Sequence, residues 1–384
     1  MKKVRTMALF LLSLTCSLFL TGCWNYREID KMAIVAGVAV DKGSDGQLKV
    51  TAEIIASSGG RESKTESKIV TMEGKTVFDA VRNGIAITGK RLYWSHSIVL
   101  ILSKDIGAEG IRKLLDWYIR DAECREDVNL LISVGQTAGE ILSNEGTTEE
   151  IKSISLGETI KNQVSLSKAP KVDVLNFELE SKNEGIATIL PTVKLVEVNK
   201  KMVPQIIGSA IIKADKIEGY LSGEETKALL FIRDEVNGGL LIDTPEQSSV
   251  AIPVSLEIFT NKTKVKPKVS GKDIKFDINV ETTVAIDELH GSVNYIDEAG
   301  RKKLEIIAAK ALKSELEFVI NKLQADYGAD IFGFGTKLRE NKIKVWNRVN
   351  KNWEQIFSDM KVNVDTKVHI KNSGILAREY EKGS

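Results

Sequence analysis

Cysteine, histidine and proline are all scarce in this chain of 384 residues. Three cysteines, Cys16, Cys23 and Cys124, cannot build a disulfide scaffold or a four-cysteine zinc site. Three histidines, His96, His290 and His369, lie far apart and match none of the close spacings of metal motifs. Neither charge sign is in surplus: 54 Lys and Arg stand against 53 Asp and Glu, which leaves nothing to neutralise a phosphate backbone, so nucleic acid is not an expected partner. No run approaches the ~18 apolar residues that suggest a membrane-crossing helix. Six prolines and 29 glycines are too few for a low-complexity protein. What is present, 42% apolar and 28% charged residues, describes a folded body long enough for two or three domains.

Catalytic and cofactor motifs are missing as well. There is no G-x-x-x-x-G-K-[ST] to cradle phosphates and no H-E-x-x-H for zinc. Gly333-Phe334-Gly335 has Leu338 where a dinucleotide fingerprint needs its third glycine. Asp41, Asp45 and Gly46 fit positions one, five and six of a calcium loop, but Gly43 and Ala52 fail at three and twelve. That stretch reads as a hairpin turn. Ser95-His96 could suggest a nucleophile and its base, yet neighbours on an extended strand point to opposite faces. Cys124 sits among Asp121, Glu123 and Glu126, acids that raise a thiol pKa and argue against a reactive thiolate. No cofactor, no metal and no enzymatic activity are expected.

The N-terminus carries the most specific local signal. Lys2, Lys3 and Arg5 precede a mostly apolar stretch from Met7 to Leu20, too short to span a bilayer and the right length for a signal-peptide core. It ends in Leu20-Thr21-Gly22-Cys23, which looks like a bacterial lipobox. Residues 1–22 are therefore expected to be removed, leaving Cys23 as a lipid anchor with S-diacylglyceryl and N-acyl groups. An ordinary secretory peptide with an incidental cysteine is the competing reading. Two or three acyl chains anchor stably, at about 0.8 kcal/mol per buried CH₂. Ten residues separate Cys23 from Ala33, a tether of at most about 35 Å. Trp24 and Tyr26 suit either the headgroup layer or the first strand.

Strands and helices alternate through the first part of the body. Ala33–Val40 reads as a buried strand, Asp45-Gly46 as a turn and Leu48–Ala56 as the returning strand. Ser57–Lys68 is expected to be an exposed loop. Thr76 and Asp79 resemble a capping box, ahead of a helix with Val77, Phe78, Val81 and Ile85 on one face. Ser97–Leu102 and Val128–Val134 read as strands. Ile111, Leu114, Leu115 and Tyr118 mark a helix, and Ala138–Leu142 begins another. Residues 149–182 look helical and broken at Pro170. Further on, 206–213 and 217–221 form a hairpin, and 224–235 a short helix or turn.

Toward the C-terminus, 250–269 and 272–286 alternate as long antiparallel strands. A long helix follows through Leu304, Leu312, Leu316 and Leu323, then a helix with Trp346, Trp353 and Phe357 on one face, and a closing strand at 362–370. The expected fold class is α+β and multidomain, mixed β-sheets with packed helices following a lipoprotein signal peptide. The expected division is a mixed α/β domain at 23–190, a small hairpin-containing unit at 191–248 and an α+β domain with an antiparallel sheet at 249–384. Lys262, Lys264, Lys266 and Lys268 alternate along one strand. Together with Pro267 they read as a guarded sheet edge, or as a contact for anionic lipid.

Several stretches together resemble one family, the spore germination receptor C-subunit lipoproteins of endospore-forming bacteria. The residues that carry the resemblance are Gly22-Cys23-Trp24, Arg27 to Asp30, Ala33 to Asp41, Leu92 to His96, and Leu114 to Trp117 with Arg120-Asp121. They continue as Gly208-Ser209-Ala210, Gly219-Tyr220-Leu221, Arg233 to Gly239, Asp330 to Gly335, Trp346 and Trp353. Lys344-Val345 departs from the pattern, where a proline before Trp346 would be expected. The resemblance implies three domains of mixed sheets and helices, no catalysis, and a place on the outer face of the bacterial cell membrane, the spore inner membrane. It also implies assembly with membrane-embedded A and B germinant receptor subunits. Arg91, Trp94, His96, Asp116, Trp117 and Arg120 are the candidates for a partner surface; against that, the tryptophans could be core and the charges paired locally. A solute-binding lipoprotein serving a transporter is the alternative function.

Overall fold

The computed structural model describes residues 2–18, 31–57, 65–135, 137–144, 151–182, 187–242, 251–252, 254–289 and 295–372. Cys23, Trp24, Tyr26 and the 27–30 motif lie outside them. Helix α1 (Lys2–Leu18) leaves Val4, Met7, Phe10 and Leu11 exposed. No helix among the described residues is long and apolar enough to cross a membrane.

The first sheet is mixed. β1 (Met32–Lys42) lies between β2 (Leu48–Ser57), antiparallel, and β5 (Val99–Ser103), parallel. β3 (Thr65–Gly74) pairs with β2 from Ser57–Thr65 to Leu48–Gly74. The exposed loop expected through Lys68 is thus corrected: residues 65–68 are strand, hidden from periodicity because an edge strand can carry polar residues on its open side. Helix α2 (Val77–Thr88) starts at Thr76, whose hydroxyl accepts from the Asp79 N–H. The Asp79 carboxylate accepts from the Lys75 N–H. Short β4 (Arg91–Tyr93) runs parallel to β1. Next come α3 (Lys104–Glu109), α4 (Arg112–Arg120), β6 (Asn129–Ser133), α5 (Ala138–Ser143), α6 (Lys152–Asn162) and α7 (Val174–Ser181).

Helices cover both faces of this sheet. α2, α3, α4 and α7 pack on one, α5 and α6 on the other. That explains why β1 is apolar almost without alternation: a strand buried on both sides has no polar face to show.

β7 (Thr188–Val198), β8 (Lys201–Lys213) and β9 (Lys216–Ser222) extend the sheet, whose order is β3-β2-β1-β5-β6-β7-β8-β9. β7 crosses position 190, where the sequence reading separates its first two units. The 206–221 hairpin is the outer part of the same sheet. Gly208 shows why a glycine is needed there: its φ is +150°, and a Cβ would lie 2.1 Å from the Leu221 carbonyl oxygen.

Helix α8 (Gly223–Arg233) is the seam of the molecule. It carries a full capping box, Ser222 with Glu225, and Glu225 to Ile232 are all buried. Its core continues from Ile189, Ile211 and Leu221 of the first sheet into the second. Lys227, fully buried, donates to the Leu240 carbonyl at 2.9 Å and pairs with Glu224 at 2.5 Å. Lys168 joins Glu224 from the far side at 2.6 Å. Burial opposes the Glu224 charge, but the two lysines outweigh it and hold the carboxyl below its ordinary range.

The second sheet has the order β10-β11-β12-β13, formed by β10 (Leu240–Leu241), β11 (Val254–Ser270), β12 (Asp273–Leu289) and β13 (Lys361–Asn372). β11 and β12 are antiparallel, whereas β13 runs parallel to β12. Parallel pairing requires a crossover, and α9 (Glu298–Lys322) begins it. α9 packs on one face of the sheet, against Phe276, Ile278, Val280, Val364 and Val368. Among the described residues nothing packs on the other face. On it the cross-strand rows are Lys268–Lys275–Lys361, Lys266–Asp277–Asn363, Lys264–Asn279–Asp365 and Lys262–Glu281–Lys367.

After α9 the chain forms α10 (Phe334–Asn341), α11 (Ile343–Val349) and α12 (Trp353–Asp359). The single helix expected to carry Trp346, Trp353 and Phe357 is two, divided at Asn350–Asn352; the two indoles still meet, while Phe357 packs on Phe332 and Phe334. Trp346 and Trp353 lie 5.3 Å apart between ring centres. Gly335 sits beneath both, with 3.0 Å from its missing Cβ to each indole. Fully buried Asp330 accepts from the Phe334 N–H at 3.1 Å, the Gly335 N–H at 2.7 Å and the Trp353 indole N–H at 3.0 Å. Burial pushes its carboxyl above the ordinary range against the pull of these donors.

Candidate functional site

A groove of about 990 Å³ opens on the first domain beside α2, α3 and α4. One wall is placed by a contact distant in sequence and another by a local one. α4 is held at its N-terminus by Asp215 in the β8–β9 turn, whose carboxylate accepts from the Ile111 and Arg112 N–H groups at 3.2 and 2.8 Å. Ala214 and Asp215 both have positive φ, the geometry of a two-residue hairpin turn whose twist matches the strands. α2 is held by its Thr76 cap and by Met72, Leu92 and Trp94 in the core beneath.

Four of the six surface candidates line this groove: Arg91, Asp116, Trp117 and Arg120. Arg91, on β4, pairs with Glu123 at 2.8 Å. Arg120 Nε reaches both oxygens of Asp116, one turn back on α4, at 2.8 and 2.9 Å. Trp117 is half-buried and meets Trp94 edge-on, with ring centres 5.4 Å apart.

The other two candidates do not line the groove. Trp94 is only 2% exposed and belongs to the core, where its ring supports Trp117, because a large apolar side chain at the end of β4 gains most by burial. His96 is exposed but stands outside the groove, in a turn closed by the Ser97 N–H to the Trp94 carbonyl at 3.0 Å. Ser95 and His96 are therefore not in a strand, as the argument from alternation assumed. The Ser95 hydroxyl donates instead to the Glu123 carbonyl at 2.6 Å.

Residues the sequence did not single out complete the site. Phe78, expected on the core face of α2, is 45% exposed and carries the Arg82 guanidinium 4.8 Å above its ring. Ile85 is also exposed; the true core face of α2 is Val77, Ala80, Val81 and Gly84. Lys75, Lys113, Glu109 and Asp121 add charges of both signs at the rim. The signal available in the sequence was the i, i+4 spacing of Phe78 and Arg82, which fits a surface pair as well as an apolar stripe.

Nearby Cys124 packs against the core, and burial, with Asp121 and Glu123, pushes its thiol up to about 12. The acids act in the expected direction, but burial is the larger cause. Among the described residues no group of three metal-ligating side chains converges. Apolar patches, a half-buried tryptophan and a rim of mixed charge are the composition of a docking surface.

Fold and groove thus define an α+β chain of two linked sheets with a wide groove on the first. Two family profiles match it in order, one described as the spore germination protein N-terminal domain over residues 25–195 and one as spore germination B3/GerAC-like, C-terminal, over residues 207–374. The chain belongs to this spore germination family. It is 26% identical over 370 residues to spore germination protein B3 of Bacillus subtilis (strain 168), covering 94% of this chain and 96% of that protein. Spore germination protein A3 of the same organism is 23% identical over 383 residues, covering 97% of this chain and 98% of that protein. The crystal structure of the GerBC protein matches with a TM-score of 0.56 at 22% identity, over 88% of this chain and 97% of that one, and shares the fold. The two profiles meet at the β7–β8 hairpin, inside one continuous sheet.

Proposed function

We propose that this chain is a lipid-anchored subunit of a nutrient germinant receptor, needed for spore germination. It works by assembling with membrane-embedded A and B subunits on the outer face of the spore inner membrane. The observation that carries the reading is the ordered match of both family profiles across nearly the whole chain. The Gly22-Cys23 pair supports the anchor, and the short stretch from Cys23 to β1 supports a body held within about 35 Å of the headgroups. The groove bounded by Arg91, Asp116, Trp117 and Arg120 supplies the subunit contact, with Trp117 as an aromatic anchor inside a charged rim.

The test is genetic. Spores lacking the gene, or carrying Cys23→Ala, are expected to fail in nutrient-triggered germination; normal germination in both overturns the proposal. A photo-crosslinking residue at position 120 is expected to capture a membrane-embedded receptor subunit in spores, and capture of neither A nor B removes the groove from the reading. A solute carrier would place its ligand cleft between two lobes, whereas this groove lies on one domain. Saturable calorimetric binding of amino acids or sugars by the protein would favour the carrier.

A further inference from the structure

We infer that the face of the second sheet opposite α9 is an electrostatic contact surface for the anionic headgroups of the bilayer. This rests on the lipid-anchored placement proposed above. Four successive outward positions on β11, Lys262, Lys264, Lys266 and Lys268, are lysine, and all four are exposed. Alternate residues of a strand lie about 7 Å apart, so the column is about 20 Å long, and the three long strands make a face about 10 Å wide.

Lys275 and Lys361 continue the positive end, and Lys367 lies beside the opposite one. Asp273 lies one row beyond the lysines, opposite Ser270, and the lysine rows themselves hold three carboxylates, Asp277, Glu281 and Asp365. Two already have partners there, Asp277 with Lys268 and Asn363, and Glu281 with His369. Among the described residues Lys262, Lys264 and Lys266 make no ion pair.

Edge protection alone does not account for this arrangement. Among the described residues β10 pairs with β11 only at Leu256 and Glu257 and Asp234 takes the Thr263 N–H, so the edge of β11 beyond Thr263 is the part that needs charge and a proline. Blocking strand addition requires no single sign, and a mixed edge would avoid the repulsion that neighbouring lysines impose. A uniform column instead creates a field directed outward from the sheet.

The four lysine rows lack what a protein partner would grip. Their outward residues are Lys, Asp, Asn and Glu, without the aromatic or arginine anchor that carries binding energy in protein interfaces, from which lysine is depleted; half-exposed Phe259 lies on the same strand beyond the end of the column. A flat array of mobile cations suits a fluid plane of phosphates, where each lysine near an anionic surface strengthens contact about fivefold.

The experiment uses the native full-length lipoprotein on two kinds of vesicle, phosphatidylcholine alone and phosphatidylcholine with phosphatidylglycerol. Flotation with both reports the anchor. An uncharged acylating reagent, read by mass spectrometry, then reports the lysines. Acylation of Lys262 to Lys268 is expected to be at least fivefold slower on the anionic vesicles than on the neutral ones. At 1 M salt, where the screening length is about 3 Å, the difference is expected to vanish. Flotation with both vesicles but equal acylation overturns the inference and leaves the anchor standing. Flotation with neither overturns the anchor itself. Equal acylation on both, with protection appearing only when membrane protein from spores is added, overturns the lipid assignment in favour of an acidic protein.

Discussion

The buried carboxylate of Asp330 offers the sharpest test of how this fold is held together. It gathers three N–H donors, from Phe334, Gly335 and the Trp353 indole, at a fully buried point between α9 and α12. Asp330→Ala leaves all three unpaired. A buried unsatisfied donor costs roughly 1–3 kcal/mol, which bounds the loss at about 3–9 kcal/mol. Two effects pull toward the lower end. The variant no longer carries the desolvated carboxyl that burial disfavours, and a water can occupy part of the vacated space. A local loss of about 3–4 kcal/mol corresponds to roughly 100- to 1,000-fold in an opening equilibrium.

Hydrogen exchange read by mass spectrometry isolates the effect, which matters because a chain with several domains need not unfold in one step. Amides in the 330–341 segment are expected to lose protection by at least 100-fold in Asp330→Ala, while those of β1 and β5 are unchanged. Asp330→Asn keeps one acceptor oxygen but turns an amide NH₂, itself a donor, toward donors, so its loss is expected to fall in between. If protection in 330–341 stays within threefold of the parent, the three hydrogen bonds do not hold α10 and α12 in place and the reasoning fails.

Two further outcomes follow from other sites. Gly208→Ala combines a φ of +150° with a Cβ 2.1 Å from a backbone oxygen, so chemical denaturation is expected to show a loss of at least about 2 kcal/mol; an unchanged midpoint would refute the close approach. The Cys124 thiol, held near 12, is expected to react with iodoacetamide at pH 8 roughly 1,000-fold more slowly than the unfolded chain, which follows from the shift in its thiolate fraction. Because its folded pKa lies above its unfolded one, the stability it contributes is complete below about pH 9 and is lost as pH rises toward about 12. Native-state labelling as fast as that in denaturant would contradict the burial.

Much of the fold was legible because the signals were local. The unbroken apolar run of β1, the Thr76 cap and the Ile111–Leu115–Tyr118 spacing of α4 are each produced within a dozen residues. The groove was legible only in part. Arg91, Asp116, Trp117 and Arg120 drew attention as charged and aromatic residues, but nothing local distinguished the exposed Phe78 from the buried Trp94. Both are large aromatics in apolar surroundings, and which of them faces water depends on where α4 lies across the sheet. β3 escaped notice for the opposite reason: pairing with β2, not its own pattern, makes it a strand.

The amino-acid order alone determined the leader-like N-terminus, the alternation of strands and helices and the succession of family motifs, because charge, periodicity and turn chemistry act between neighbours. Only the tertiary structure decided which acids hold which helices. Asp41 on β1 accepts from Ala138 and Gly139 at the start of α5, and Glu53 on β2 accepts from Lys152 and Ser153 at the start of α6. Asp215 does the same for α4. The first N–H groups of any helix lack partners within it, so a carboxylate of any sequence origin that folding brings there can supply the missing acceptor. That proximity is a property of the packed sheet and its helices, about a hundred residues away along the chain from the groups it joins.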